Sequence, residues 1–176
     1  DQDFHSLPEP VGKSVLENYH DPAVMEIRDE AIVDLGWRGL KGAITEYNQK
    51  QFNKSIIIGG DITILKERMA IASTKGMNDW DESTVLTANI TSMNEKKKVK
   101  GTGWNTSTHI SCFSPEEAGR ESAESAIRTR GGDRISSGTY DVIFGKQPVT
   151  DLFANIVIPA LSLSSINTSD TPFLGK

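Results

Sequence analysis

Between residues 54 and 113 the chain consists almost wholly of strand-forming segments, with no helical segment to carry it from one to the next. Ser55-Ile56-Ile57-Ile58, Ile62-Thr63-Ile64-Leu65 and Arg68-Met69-Ala70-Ile71-Ala72 are rich in branched side chains, and Gly59-Gly60-Asp61 and a charged step separate them. They predict three short strands. A turn at Ser73-Thr74-Lys75-Gly76, a strand over 84–91 and a long strand through Gly103 to Phe113 follow, the last two joined at Met93-Asn94-Glu95-Lys96. Strands that succeed one another without crossover helices pair as antiparallel neighbours, so this block predicts a meander.

Helical patterns flank the block. Asp21 suits an N-cap and Pro22 the first helical position, and Val24, Ile27, Ala31 and Leu35 recur at helical spacing. Leu40, Ile44 and Tyr47 continue the stripe and predict one helix to about Asn48. Gly36, Gly39 and Gly42 fall at every third position. Each disfavours helix by up to about 1 kcal/mol relative to Ala, so another backbone is expected to pack closely there. After the strands, Ser114-Pro115-Glu116-Glu117 reads as a capping box and Gly131-Gly132 as a stop. Between them Ala118, Ala123, Ala126 and Ile127 form a small-residue face suited to lying on a sheet. Residues 139–159 read as a strand over 140–144 leading into a helix from Pro148, which Pro159 ends or kinks. The expected class is α+β: a largely antiparallel sheet packed against two or three helices. Residues 1–20 form an extended lead-in, 21–161 the α+β domain, and 162–176 a loop that stops without a cap or closing element.

The formal net charge of −5 argues against a general nucleic-acid binder, which carries a basic face. The run Lys96-Lys97-Lys98-Val99-Lys100 reads as a solvated strand edge or hairpin. No apolar run approaches the ~18 residues of a membrane span. A single cysteine, Cys112, rules out an internal disulfide framework. Sequons at Asn53, Asn89, Asn105 and Asn167 are what chance produces in a chain this rich in Ser, Thr and Asn. The expected setting is therefore reducing, intracellular and cytoplasmic.

Chemistry is sparse. His5, His20 and His109 have no second ligand at helical or hairpin spacing, so none is expected to hold zinc. Cys112 lies three residues after His109, and on a strand that spacing points side chains to opposite faces. A Cys–His nucleophile is thus disfavoured and a buried structural thiol expected. Gly101-Thr102-Gly103 resembles half a nucleotide loop but lacks a helix N-terminus behind it, and reads as a turn. Asp79, Asp81 and Glu82 around Trp80 read as solvated acids in a loop, where Asp81-Glu82 offers at most a weak hard-cation site. Trp37, Trp80 and Trp104 are too scattered to form an aromatic platform.

Three stretches in order resemble the PmbA/TldD family, the modulator-of-gyrase or peptide-maturation proteins. Asp3-Phe4-His5-Ser6-Leu7-Pro8-Glu9-Pro10 with Tyr19-His20-Asp21-Pro22 is similar to that family's "DFPGLPDP…LYDP". Ile71-Ala72-Ser73-Thr74-Lys75-Gly76 resembles its "IANSxG". Gly138-Thr139-Tyr140-Asp141-Val142-Ile143-Phe144 with Asp151-Leu152-Phe153 resembles its "GxYxVVFxxxxxxxLF", and Thr171-Pro172-Phe173-Leu174-Gly175-Lys176 its "SFLxxxLGK" with a few residues missing. The resemblance implies that the chain is the middle of the N-terminal part of a longer protein with a C-terminal β-rich domain.

It also implies what the last helix should be asked. The TldD branch resembles a zinc metallopeptidase with a His-Glu-x-x-x-His motif there, histidines on zinc and glutamate as general base. The matching positions here are Ala154, Asn155 and Pro159. Alanine and proline offer no ligating side chain, and an asparagine amide takes no proton near neutral pH. The chain therefore resembles the non-zinc PmbA (TldE) branch. That implies a peptide-processing heterodimer in which any zinc belongs to a TldD-like partner, with self-association as the other pairing. No cofactor, nucleic acid or membrane is expected for this chain. Exposed edges in the 56–72 and 85–90 strands are expected to meet a partner or an extended peptide. Two readings stand beside this one: a scaffold module regulating another complex, and a hydrolase built on Cys112 and His109.

Overall fold

Alternating branched residues place one side chain in two on the same face of a strand, and the paired register shows which face is buried. The structure, a computed structural model, describes residues 7, 9, 10, 12, 17–52, 55–168 and 171. His5, Asn53, most of the first family-like stretch and residues 172–176 lie outside these. The chain divides into two units, Asp1–Gly132 and Asp133–Lys176.

In the first unit, strands β1 (Ile56–Ala72), β2 (Asn78–Asn94) and β3 (Val99–Ser107) form an antiparallel sheet of order β1-β2-β3. The α+β class and the meander are as expected. Ile58, Ile62 and Ile64 of β1 pair with Ser92, Ala88 and Leu86 of β2, so these residues share the inner face. The three short strands expected over 55–72 are one strand of 17 residues. Gly59-Gly60 reads as a break, but a Cβ at Gly60 would lie 2.0 Å from the Asn89 carbonyl oxygen. Glycine there permits a tight place in the ladder instead of ending it.

β3 pairs with β2 only from Val99↔Asn94 to Ser107↔Leu86, so the outer part of β1–β2 is a two-stranded ribbon. The ribbon's tip is the expected turn, where the Gly76 N–H donates to the Ser73 carbonyl. The lysine run occupies the β2–β3 turn, with Lys98 at a φ of 53°. The strand expected to reach Phe113 stops at Ser107, and Ile110–Cys112 is a 3₁₀ turn. Gly101 and Gly103 belong to β3 rather than to a turn.

The first helical stretch is two helices, α1 (Pro22–Met25) and α2 (Asp29–Gln49), rather than one. Arg28 is extended between them. Lys66 of β1 donates to the carbonyl oxygens of Met25 (3.0 Å) and Ile27 (3.4 Å), satisfying acceptors that the break exposes. Helix α3 (Pro115–Arg128) starts where the sequence indicates, but without the capping box. The Ser114 N–H goes to Asn105 Oδ1, and the Glu117 carboxylate pairs with Arg120 at 2.6 Å.

Small residues bring α2, α3 and β3 into backbone contact. A Cβ on Gly42 would sit 2.1 Å from the Glu116 carbonyl oxygen, and one on Gly103 2.0 Å from that of Ala118. The expectation of close packing holds at Gly39 and Gly42 but not at Gly36, where a Cβ meets open space. Around this junction lie two apolar clusters. Leu35, Leu86, Ile90 and Phe113 belong to one; Ala43, Tyr47, Val99 and Ala123 belong to the other. Burial pushes the Tyr47 hydroxyl's pKa up. Buried Ser122 donates to the Gly119 carbonyl oxygen, which leaves Ser92 to donate to Ser122 at 2.6 Å.

Asp21 ties the segment before α1 to the sheet. Its carboxylate accepts from the Ala23 N–H at 2.9 Å and from the Ile110 N–H at 2.8 Å. Its own N–H donates to Thr84 Oγ1, which donates in turn to the Thr108 carbonyl. The Ile110 hydrogen bond, aided by that of Ala23 and by nearby His109 and His20, outweighs burial and holds the carboxyl below the usual carboxylate range.

In the second unit, helix α4 (Lys146–Leu152) runs through a π turn (Phe153–Val157) into α5 (Ile158–Ala160), and α6 (Leu163–Asn167) follows. Pro159 has no N–H and its ring crowds the carbonyl four residues back, which accounts for the π turn before it and the end after it. The strand expected over 140–144 is absent: it pairs with no described segment, and Ile143 is 98% exposed. The loop expected from 162 contains α6, capped by the Ser162 hydroxyl. Among the described residues this unit buries no large apolar side chain. Nor, in either unit, is any described helix long and apolar enough to cross a membrane.

Two outcomes follow from these contacts. Gly42→Ala should destabilise the protein by roughly 2–3 kcal/mol in urea unfolding, because two backbones must part, whereas Gly36→Ala should be neutral or stabilising by up to about 1 kcal/mol. Asp21→Asn should lose about 1–2 kcal/mol at pH 7. Because the folded pKa of Asp21 is depressed, its contribution is present above about pH 4 and lost as pH falls through the folded value. The deficit of the variant should therefore shrink in acid; a deficit independent of pH contradicts the assigned role.

Candidate functional site

The positions matching the family's zinc motif lie in the second unit, around the π turn. Ala154, Asn155 and Pro159 are all exposed. Asn155 Nδ2 donates to the Asp151 carbonyl oxygen at 2.9 Å, a local helical contact. Among the described residues no group of three or more His, Cys, Asp or Glu side chains could hold a metal ion.

Chemically reactive groups are densest where residues 19–21 meet the ribbon. Tyr19, His20, Trp80, Asp81 and Glu82 line a hollow of about 300 Å³. Asp79, Asp81 and Glu82 lie on β2 rather than in a loop. The Tyr19 hydroxyl donates to Asp81 Oδ1 at 2.7 Å. Arg68 Nε donates to Glu82 Oε1 at 2.6 Å, and His20 Nε2 lies 3.5 Å from Glu82 Oε2. Protein groups thus already hold both carboxylates, and the arrangement works as an anchor.

The Cys112–His109 pair does not form. Both residues belong to the 3₁₀ turn and its cap, where the Cys112 N–H donates to the His109 carbonyl. His109 Nδ1 lies 2.9 Å from Thr108 Oγ1, whose hydrogen goes to the Asn18 carbonyl, so the imidazole donates there. Cys112 is exposed instead of buried, because a turn replaces the expected strand end.

The sheet has two outer edges, those of β1 and β3. The 85–90 segment belongs to β2, hydrogen-bonded on both sides for most of its length, so it is not the edge the sequence led us to expect. No described strand pairs with the outer side of β1. Exposed Ile57, Leu65, Met69 and Ile71 lie along that strand.

A groove of about 390 Å³ between α2 and α3 went unread in the sequence. Arg38, Lys41 and Glu46 line it from α2, and Glu116, Glu117 and Arg120 from α3. Arg38 Nη2 donates to Glu116 Oε1 at 2.8 Å. Burial raises the Glu116 pKa, but the hydrogen bond and charge of Arg38 prevail and leave it lowered. The one available signal was the Gly39–Gly42 spacing, which brings α3 against α2; the charges themselves read as a solvated helix face.

No protein-family description matches the chain, and no curated protein matches it. Solved structures do. One, from Thermotoga maritima, is named as a proposed modulator of a DNA gyrase. It matches with a TM-score of 0.76 at 17% identity, over 98% of this chain and 39% of its own. A second, from Bacteroides thetaiotaomicron and similarly named, matches with a TM-score of 0.73 at 14% identity, over 96% of this chain and 38% of its own. The chain thus spans about two fifths of the length of these solved chains, and at such identities it shares their fold.

Proposed function

We propose that this chain is the non-zinc, PmbA/TldE-like subunit of a heterodimeric metallopeptidase that matures or degrades small or unfolded peptides in the cytoplasm. Support comes first from the ordered family-like stretches and from a fold shared with two proteins named for gyrase modulation, a name the resembled family also bears. The observation that carries the reading is the chemistry of Ala154, Asn155 and Pro159. Side chains that neither ligate zinc nor accept a proton stand where the catalytic branch has its motif. Zinc would then belong to the partner, and this subunit would shape the peptide path. The outer edge of β1 suits that role, since an extended peptide can add to it through main-chain hydrogen bonds whatever its sequence. In this reading the chain is the middle of the N-terminal part of a longer protein; that the solved chains are more than twice its length is compatible with this.

A scaffold role without proteolysis is the second reading, and the gyrase-modulator names of the solved structures favour it. Partner identity separates the two. Affinity purification of the full-length protein should recover a protein with a His-Glu-x-x-x-His motif; recovery of other partners without one favours the scaffold. Purified alone with zinc, the full-length protein should cleave unfolded peptides no faster than buffer, and adding the recovered partner should give cleavage that chelation abolishes. Chelation-sensitive cleavage by this protein alone contradicts the proposal.

A further inference from the structure

The α2–α3 groove contains acceptor capacity that the described residues leave unused. Glu46 lines the groove and is only 8% exposed, yet among the described residues its carboxylate has no hydrogen-bond or ion-pair partner. Glu116 gives one oxygen to Arg38, while its Oε2 is shielded from solvent and without a partner among the described residues. These two carboxylates come from different helices and line one groove for a structural reason. Gly42 lies one helical turn before Glu46 and is where the Glu116 backbone packs against α2. A carboxylate held mostly out of solvent without a donor of its own gains from a cation, so the groove offers a cation two acceptors, Glu46 and Glu116 Oε2.

The groove's own cations do not supply it. Arg38 pairs with Glu116, and Arg120 pairs with Glu117 and Glu124. Lys41 lies exposed at the rim, five residues from Glu46, with no ion-pair partner among the described residues. That spacing places the two side chains off the i,i+3 and i,i+4 positions at which helical pairs meet.

The geometry selects among cations. A hard divalent ion takes six or more oxygens, and no described cluster of three ligating side chains exists. A guanidinium seats best as a two-pronged fork on one carboxylate, which Glu46 could accept, but Glu116 has a single free oxygen and cannot complete a second fork. An ammonium has three diverging N–H donors and can reach both carboxylates at once. We infer that the α2–α3 groove binds a small molecule bearing a primary ammonium group, which donates to Glu46 and Glu116 Oε2, while Lys41 at the rim receives an anionic end of the same ligand. A free amino compound and the amino terminus of a short peptide share this chemistry. The inference does not depend on the peptidase reading.

Titration of ¹⁵N-labelled protein with triglycine, N-acetyl-triglycine and ethylamine, followed at the amides of residues 45–49 and 116–120, tests it. Triglycine should give saturable shifts there. N-acetylation, which removes the ammonium, should weaken binding by about ten-fold or more. Ethylamine should shift the same amides more weakly than triglycine, since it has no carboxylate for Lys41; equal affinity overturns the role given to Lys41. Glu46→Gln should weaken triglycine by about ten-fold or more while the circular dichroism spectrum is unchanged. If that variant does not fold, the comparison of triglycine with its acetylated form on the unaltered protein decides. The inference is overturned if no ligand gives saturable shifts, if both glycine peptides bind equally, or if folded Glu46→Gln binds as before.

Discussion

Backbone contact among α2, α3 and β3 is the constraint on which the first unit depends. Gly42, Gly119, Gly101 and Gly103 each stand where a Cβ would overlap main-chain atoms of the neighbouring element. Helices that approach this closely leave little room between them for large side chains, which is why the core there consists of Ala43, Ala118, Ala123 and Ala126 with Tyr47 at its end. The same contact fixes where the first turn of α3 lies against α2, and so brings Glu116 and Glu46 to the lining of one groove. Packing and a candidate binding site thus have one cause.

Asp21 supplies a second, polar constraint. It joins α1, β2 and the 3₁₀ turn through hydrogen bonds to Ala23, Thr84 and Ile110. The Tyr19–Asp81 and His20–Glu82–Arg68 contacts extend that junction onto the ribbon. The carboxylates that look like reagents in isolation are there held by Tyr19, His20 and Arg68, and this makes the corner structural.

Much of this was legible beforehand, because it rests on period and spacing. Branched residues over 55–72 and 84–91, the small face of α3 and the glycines at 39 and 42 each signal their role locally. Other features depend on neighbours the sequence does not order in space. The glycine pair at 59–60 looks like a turn until Asn89 is known to pass beside it. The break after Met25 depends on Lys66, some forty residues away. The capping box fails to close because Asn105 takes the Ser114 N–H that Glu117 would otherwise accept. The 140–144 segment has strand composition but no strand to join among the described residues, and composition alone cannot supply a partner. Glu46 could not be singled out as a ligand, since a glutamate on an amphipathic helix looks solvated until the facing helix is in position.

The functional account turns on where the metal is. A chain with Ala154, Asn155 and Pro159 at the motif positions should have no side chains there to retain zinc, whereas a catalytic partner should hold it tightly. Elemental analysis of the full-length protein purified alone and in complex with its co-purifying partner tests this most directly. The account predicts no stoichiometric zinc on this protein alone and stoichiometric zinc in the complex, retained by the partner after separation. Stoichiometric zinc on this protein in isolation would contradict it.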